Sequence, residues 1–246
     1  MKSITQSVIL AGGLGTRMQP LTFSTPKPMI RIHGKPFLEY IINLLRDNGI
    51  QKVLILTGYL HEQIEEYFKD GKRFDLSISY SYSPVGDDTG TRIKKARELI
   101  QDKFLLLYSD NYWPLQLDLL TRFYKRMRTK ASVVVYNNRD NVTKNNMLVD
   151  DKGFIQIYDR SRVNKNLNAV DIGFFLLDRN IFTNLPKKNF AFEDVVLPRL
   201  IKKRQLGGFL TDHKYYSLTN PGRIPAIEKY LSGNIRFLSK YHSNLR

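Results

Sequence analysis

The sequence predicts an α/β fold with a mostly parallel central sheet and helices on both faces, and three observations predict it. From Ser7 to Tyr136, short apolar runs of strand length alternate strictly with amphipathic helical segments, the mark of β-α-β units. The chain has 246 residues, 42% of them hydrophobic and 12% aromatic, enough for one sizeable core and too apolar for intrinsic disorder. It has no cysteine, which excludes disulfides, thiolate metal sites and thiol nucleophiles. No apolar run approaches the roughly 20 residues of a membrane span. Met1 to Gln6 lacks the apolar core of a signal peptide, so a cytoplasmic protein is expected.

Ser7-Val-Ile-Leu-Ala11 ends in Gly12-Gly13 and reads as a buried strand entering a glycine loop. Pro20, Pro26 and Pro28 keep the following segment out of helix until about Pro36. Phe37, Tyr40, Ile41, Leu44 and Leu45 then recur at helical spacing, with Gly49 as a stop. Lys52–Thr57 reads as a strand, Glu62–Phe68 as a helix and Leu76–Tyr82 as a strand. Thr89–Ile100 reads as a basic helix, Phe104–Tyr108 as a fully apolar strand ending near Asp110, Leu115–Met127 as a helix and Ala131–Tyr136 as a strand. After Asn137 the pattern changes to short strands at Met147–Val149, Phe154–Tyr158 and Val170–Leu177. A helix at Glu193–Lys203, a strand pair near Phe209–Leu218 and a helical segment from Pro221 complete it. There is no linker and no repeat. A single domain over 1–246 is expected, its break near 137 marking a small β-rich C-terminal subdomain that completes a site.

Lys and Arg number 39 against 23 Asp and Glu, a formal net charge of +16. Such an excess suits nucleic acid, phosphorylated substrates or an anionic membrane face. Its densest runs, Arg122–Lys130 and Lys202–Arg204, fall where helices are predicted and read as solvated faces. No zinc-finger, RRM or basic-zipper pattern accompanies them, so nucleic acid is not the expected partner. His33, His61, His213 and His242 form no metal-binding spacing.

In an open parallel sheet, ligands bind beyond the C-terminal strand ends. Gly12, Gly13 and Gly15 lie at one such end, where amides can approach an anion closely. Arg17 adds a planar cation suited to phosphate oxygens. Pro26-Lys-Pro-Met29 stiffens the backbone around Lys27. The loop is neither a Walker A loop nor a Gly-x-Gly-x-x-Gly turn. At a second strand end stands Asp110, which is either a turn or cap residue or, beside a polyphosphate, a ligand of Mg²⁺.

Gly12-Gly-Leu-Gly-Thr-Arg-Met18, Pro26-Lys-Pro-Met29 and Gly34-Lys-Pro-Phe-Leu-Glu-Tyr40 together resemble the sugar-1-phosphate nucleotidyltransferases. The likeness is greatest to short heptose- or mannose-1-phosphate guanylyltransferases and related cytidylyltransferases. It continues through Thr57-Gly-Tyr-Leu-His-Glu-Gln-Ile64, Thr89-Gly90, Asp110, Asp171-Ile-Gly173 and Phe192-Glu-Asp-Val-Val-Leu-Pro198. The resemblance implies a Rossmann-like nucleotidyltransferase domain in which a sugar 1-phosphate attacks the α-phosphorus of an NTP and releases pyrophosphate. The product would be an NDP-sugar for surface glycan synthesis. Leu10, Ala11, Gly12, Gly13, Gly15, Thr16, Asp88 and Gly90 would then face the nucleotide, in a half ending near 137. Arg17 would clamp the leaving pyrophosphate, Lys27 would stabilise charge at the α-phosphate, and Asp110 would hold Mg²⁺. Arg160, Asp171, Gly173 and Glu193 would serve the sugar phosphate, in the half from 138 to 246.

Three departures concern the substrates. The family's Glu-Lys pair reads Asp159-Arg160, so Arg160 is either the sugar-phosphate contact or a surface hairpin arginine. The base-reading stretch reads Asp87-Asp-Thr-Gly-Thr-Arg92, and Asp88 either caps the helix at Thr89, the preferred reading, or accepts from guanine. Ser217 stands where the family carries a second metal carboxylate. Either Asp110 suffices, or another residue such as Asp171 substitutes, or activity is lost. Trp113, next to Asp110, either packs on the acceptor or covers a subdomain edge. The expected donor is GTP or CTP. A cytidylyltransferase for a non-sugar phosphorylated alcohol and a non-catalytic nucleotide-sugar-binding protein are the alternatives. Contact with an anionic membrane and self-association stay open.

Overall fold

The computed structural model describes residues 4–141 and 143–243, with side chains as far as 233. Its strands in chain order are β1 (Gln6–Ala11), β2 (Arg31–Ile32), β3 (Lys35–Pro36), β4 (Lys52–Thr57), β5 (Ser77–Tyr82), β6 (Lys103–Tyr108) and β7 (Asn111–Tyr112). They continue with β8 (Ala131–Tyr136), β9 (Met147–Val149), β10 (Ile155–Tyr158), β11 (Val170–Asp178), β12 (Leu206–Thr211) and β13 (Tyr216–Ser217). The helices are α1 (Phe37–Asp47), α2 (His61–Phe68), α3 (Thr89–Lys95), α4 (Leu117–Met127), α5 (Phe192–Lys202) and α6 (Ile224–Ser243).

Seven strands form the central sheet in the order β12-β8-β11-β6-β1-β4-β5. Every neighbouring pair is parallel except those made by β11, which runs antiparallel to β6 and β8. The expected mostly parallel α/β sheet is what forms. Its strands are apolar on both faces because both are covered. Ile9, Val53, Ile55, Leu105 and Leu107 enter one core with Phe37, Ile41, Phe68 and Leu120. Val8, Leu10, Leu54, Leu56 and Leu106 enter the other, with Ile93, Phe192 and Val196.

The change near residue 137 divides the chain without dividing the sheet, since β11 and β12 both join it. The remaining C-terminal strands are short and antiparallel, β9 with β10 and β13 with β7. Two local expectations change. The two strands predicted near Phe209–Leu218 both form but not with each other: β12 lies parallel to β8, while β13 crosses to β7 beside Asp110. The basic helix ends at Lys95, and a 3-10 turn over Arg97–Leu99 follows. The Gln6 side chain takes the Leu99 carbonyl (2.9 Å) and the Gln101 amide (2.6 Å), pulling the chain out of the helix towards β6.

Candidate active site

The C-terminal ends of β1, β4, β5, β6, β8 and β12 share one edge of the sheet, and antiparallel β11 begins there. Two cavities open along this edge, of about 300 Å³ and about 620 Å³. Tyr108 and Asp110, at the end of β6, line both.

The smaller cavity has Leu10, Ala11, Gly12, Gly13 and Gly15 on one wall and Asp87, Asp88, Thr89 and Arg92 on another. Gly15 needs its positive φ of 65°, and a Cβ there would lie 3.0 Å from the Lys27 Cβ. The loop therefore rests on the segment that carries Lys27. Thr22 ties the turn further, its hydroxyl donating to the Gly15 carbonyl (3.0 Å). Lys27 opens a 3-10 turn whose Met29 amide returns to Pro26 (2.8 Å), and its ammonium pairs with the Asp110 carboxylate at the junction of the cavities. Arg17 is exposed and lines the larger cavity.

Thr16 and Gly90 do not line the smaller cavity. Thr16 is itself exposed and opens a 3-10 turn. Gly90 is buried, with Phe190 so close that a Cβ would lie 2.3 Å from its ring. Asp88 takes the N-cap position of α3 but makes no capping bond. Asn189 captures it, donating to its carboxylate (2.9 Å) and accepting from its amide (2.9 Å), so the preferred cap reading is corrected.

The larger cavity is lined by Asp171, Glu193, Asn146 and Tyr158, with Arg160, Arg162, Lys214 and Arg223 among its cations. The β11 register shifts between Asp171 and Phe175, and Gly173, at φ 79°, sits in the irregularity. Its amide donates to the Asp171 carboxylate (2.7 Å), while a Cβ there would strike Tyr108 at 2.3 Å. Gly173 thus shapes the wall that Asp171 lines. Burial pushes the Asp171 carboxyl up to about 7, with the neighbouring Glu193 charge adding to the rise. Glu193 accepts from the Thr89 hydroxyl (2.7 Å) and from Tyr108, tying α5 to α3 and β6.

Arg160 lies exposed on the rim, paired with Asp194 (3.3 Å). Lys214 is paired with Asp140 (3.3 Å). Arg162 donates to the Thr143 hydroxyl (2.9 Å) and the Lys144 carbonyl (2.6 Å). Among the described residues, neither Arg162 nor Arg223 makes an ion pair with a carboxylate. Arg92, Arg162 and Arg223 were not singled out as site residues from sequence, although Arg92 is the charged end of the altered base-reading stretch. Trp113 is fully buried, edge-on to Phe174 and Phe209, and lines neither cavity, so the reading that packs it on the acceptor is corrected.

Ser217 pairs with Asn111 in β13–β7, and the Leu218 amide donates to the Asp110 carbonyl (2.8 Å). Its hydroxyl lies 2.5 Å from that of Thr219. Ser217 and Thr219 line the larger cavity together with Asp110 and bring hydroxyls to it. Among the described residues, no three His, Cys, Asp or Glu side chains come together as a metal cage. One carboxylate with hydroxyl neighbours fits a hard cation that takes its other ligands from phosphates and water.

Residues 6–211 match the family model described as nucleotidyl transferase. The D-glycero-alpha-D-manno-heptose 1-phosphate guanylyltransferase of Campylobacter jejuni is 30% identical over 190 residues, 77% of this chain and 83% of that one. A "probable glucose-1-phosphate cytidylyltransferase" of Bacillus subtilis is 32% identical over 223 residues, 82% of this chain and 86% of that one. HddC of Yersinia pseudotuberculosis, solved in complex with GMP-PN, superposes with a TM-score of 0.77 at 22% identity, over 93% of this chain and all of that one, and shares the fold.

Proposed function

The chain belongs to the nucleotidyl transferase family of sugar-1-phosphate nucleotidyltransferases, and from that premise we propose that it transfers the nucleotidyl group of GTP or CTP to a sugar 1-phosphate for surface glycan synthesis. The observation that carries this reading is the pair of cavities meeting at Asp110 and Tyr108, with Lys27 at their junction. The smaller cavity takes the nucleotide and the larger takes the sugar phosphate. Guanylyl and cytidylyl transfer are the activities named for the two relatives above.

In this reading an oxygen of the acceptor phosphate bonds to the α-phosphorus as the bond to the β-phosphate oxygen breaks, and pyrophosphate leaves. No protein nucleophile is needed, because the attacking phosphate is already ionised at pH 7. The protein's work is to align two polyanions and neutralise them. By the family resemblance Arg17, which lines the larger cavity with Asp110, holds the departing β- and γ-phosphates, and Lys27 stabilises charge at the α-phosphorus. Arg162 and Arg223, which make no carboxylate ion pair among the described residues, hold the acceptor phosphate, whereas Arg160 is already engaged by Asp194. Asp171 and Asn146 face the sugar hydroxyls. Asp110, with triphosphate oxygens, would hold Mg²⁺, which supplies further charge neutralisation when bound.

Pyrophosphate release measured across the four NTPs and a panel of sugar 1-phosphates, with Mg²⁺, tests the reading. Turnover is expected with GTP or CTP and one sugar 1-phosphate. Turnover only with a non-sugar phosphorylated alcohol would reassign the acceptor. Absence of release with every pair would leave a nucleotide-sugar-binding protein.

A further inference from the structure

Arg92 is a buried cation that the proposed chemistry does not use. Its residue is 4% exposed, yet among the described residues no carboxylate bonds its guanidinium. The nearby Asp87 carboxylate is taken by Lys95 (2.5 Å). A buried charge without a carboxylate partner is costly unless its donors are all satisfied. Here its five N–H groups meet six backbone carbonyls, the most distant being Val85 from Nη2 (3.4 Å), and Nη1 also reaches the Ser83 hydroxyl (3.4 Å). Nε donates to Asp87 (2.9 Å), Nη1 to Thr57 (2.8 Å) and Ser83 (3.0 Å), and Nη2 to Gly12 (3.2 Å) and Pro84 (2.8 Å). These carbonyls belong to the segments that leave β1, β4 and β5 at the crevice. One planar fork joins three loops, a task a lysine ammonium with three donors cannot copy.

The contact with Gly12 has a directional consequence. In a planar trans peptide, the carbonyl of Gly12 and the amide N–H of Gly13 point opposite ways. Holding the Gly12 carbonyl down against Arg92 aims the Gly13 N–H away from it. On Gly13, a Cβ would meet nothing within 4 Å, so that residue borders open space. On Gly12, by contrast, a Cβ would fall 2.2 Å from Nη1, so the guanidinium requires glycine there.

We propose that Arg92 is a positioning residue for the nucleotide, fixing the glycine-loop peptide so that the Gly13 amide faces the phosphate or base edge of an NTP in the smaller cavity. The inference rests on the reading that this cavity takes the NTP. Binding of GTP and CTP to the unaltered protein, Arg92→Met and Arg92→Lys is measured calorimetrically, with KM for each substrate and a thermal melt. Arg92→Met should weaken NTP binding about 10- to 100-fold, the effect of losing a charge-assisted hydrogen bond. Its KM for the sugar phosphate should change far less. Arg92→Lys, which keeps the charge, should recover only part of the loss. Where Arg92→Met does not fold, Gly12→Ala, which forces the guanidinium aside, should give the same NTP-selective loss. NTP binding unchanged in the folded variants would overturn the inference, as would equal losses for both substrates. If the unaltered protein binds neither NTP, the reading beneath it fails and the inference falls with it.

Discussion

Asp171 sits in the larger cavity with its carboxyl pushed up to about 7, chiefly by burial and then by Glu193, against the lowering effects of the Gly173 amide and Arg162. In the unfolded chain the same group ionises in the ordinary carboxylate range. Between about pH 4 and pH 7 the native state therefore keeps a proton that the unfolded state has lost, and the Asp171 contribution to stability falls as pH rises through that window. Asp171→Asn removes the titration while its amide oxygen can still accept from Gly173. Melts from about pH 4.5 to 8 should show this variant with a shallower decline and a melting temperature at pH 8 raised by a few degrees. Parallel curves for the two proteins would show that Asp171 is ionised throughout. Legibility in the sequence was uneven at this scale. Lys27 and Asp110 stood out because a stiff Pro-Lys-Pro and a carboxylate after an apolar strand are local patterns. Arg162 and Arg223 did not, because their availability depends on where Asp194 and Asp140 choose their partners.

At the scale of elements, α3 meets the segment leading into α5 through Gly90. Its missing side chain lets the Phe190 ring and carbonyl approach, at 2.3 and 2.9 Å from where a Cβ would stand, and the Thr91 amide donates to that carbonyl (3.1 Å). A methyl group here strikes a ring first and then a backbone carbonyl, which cannot rotate away. Gly90→Ala should therefore cost about 1–3 kcal/mol by overpacking, despite alanine's better helix propensity. Urea unfolding would measure it, and an unchanged or raised midpoint would show that α3 and the Phe190 segment can part freely. The regular strands and helices were readable because their apolar periods are local and both sheet faces are covered. The β12 and β13 pairings were not, because a strand's partner is set by distant segments: β8 for one, the chain beside Asp110 for the other. The early end of α3 was hidden for the same reason, since Gln6 lies far from it in sequence.

Across the whole molecule, the cations behind the formal charge of +16 include one group at each end of the sheet. Arg17, Lys27, Arg162 and Arg223 gather at the crevice. The two densest basic runs lie elsewhere: they lead into the N-terminal ends of β8 and β12, where the Lys130 amide donates to the Gln205 side chain (3.1 Å). A six-residue strand spans about 20 Å, more than twice the screening length at physiological salt, so this basic end adds little to substrate binding. Arg122, Lys125, Lys202 and Lys203 are exposed there and make no ion pair among the described residues. No described helix is long and apolar enough to cross a membrane, but a cluster of such cations gains roughly 1 kcal/mol per residue at an anionic lipid surface. We expect the protein to sediment with phosphatidylserine-rich vesicles, to remain free of phosphatidylcholine vesicles, and to be released as salt is raised. Replacing those four residues by Glu should abolish sedimentation while leaving KM for both substrates within about twofold, given the screening distance. A variant that still sediments would assign the attraction to the crevice, and an unaltered protein that ignores anionic vesicles would leave the basic end as a solvated surface alone.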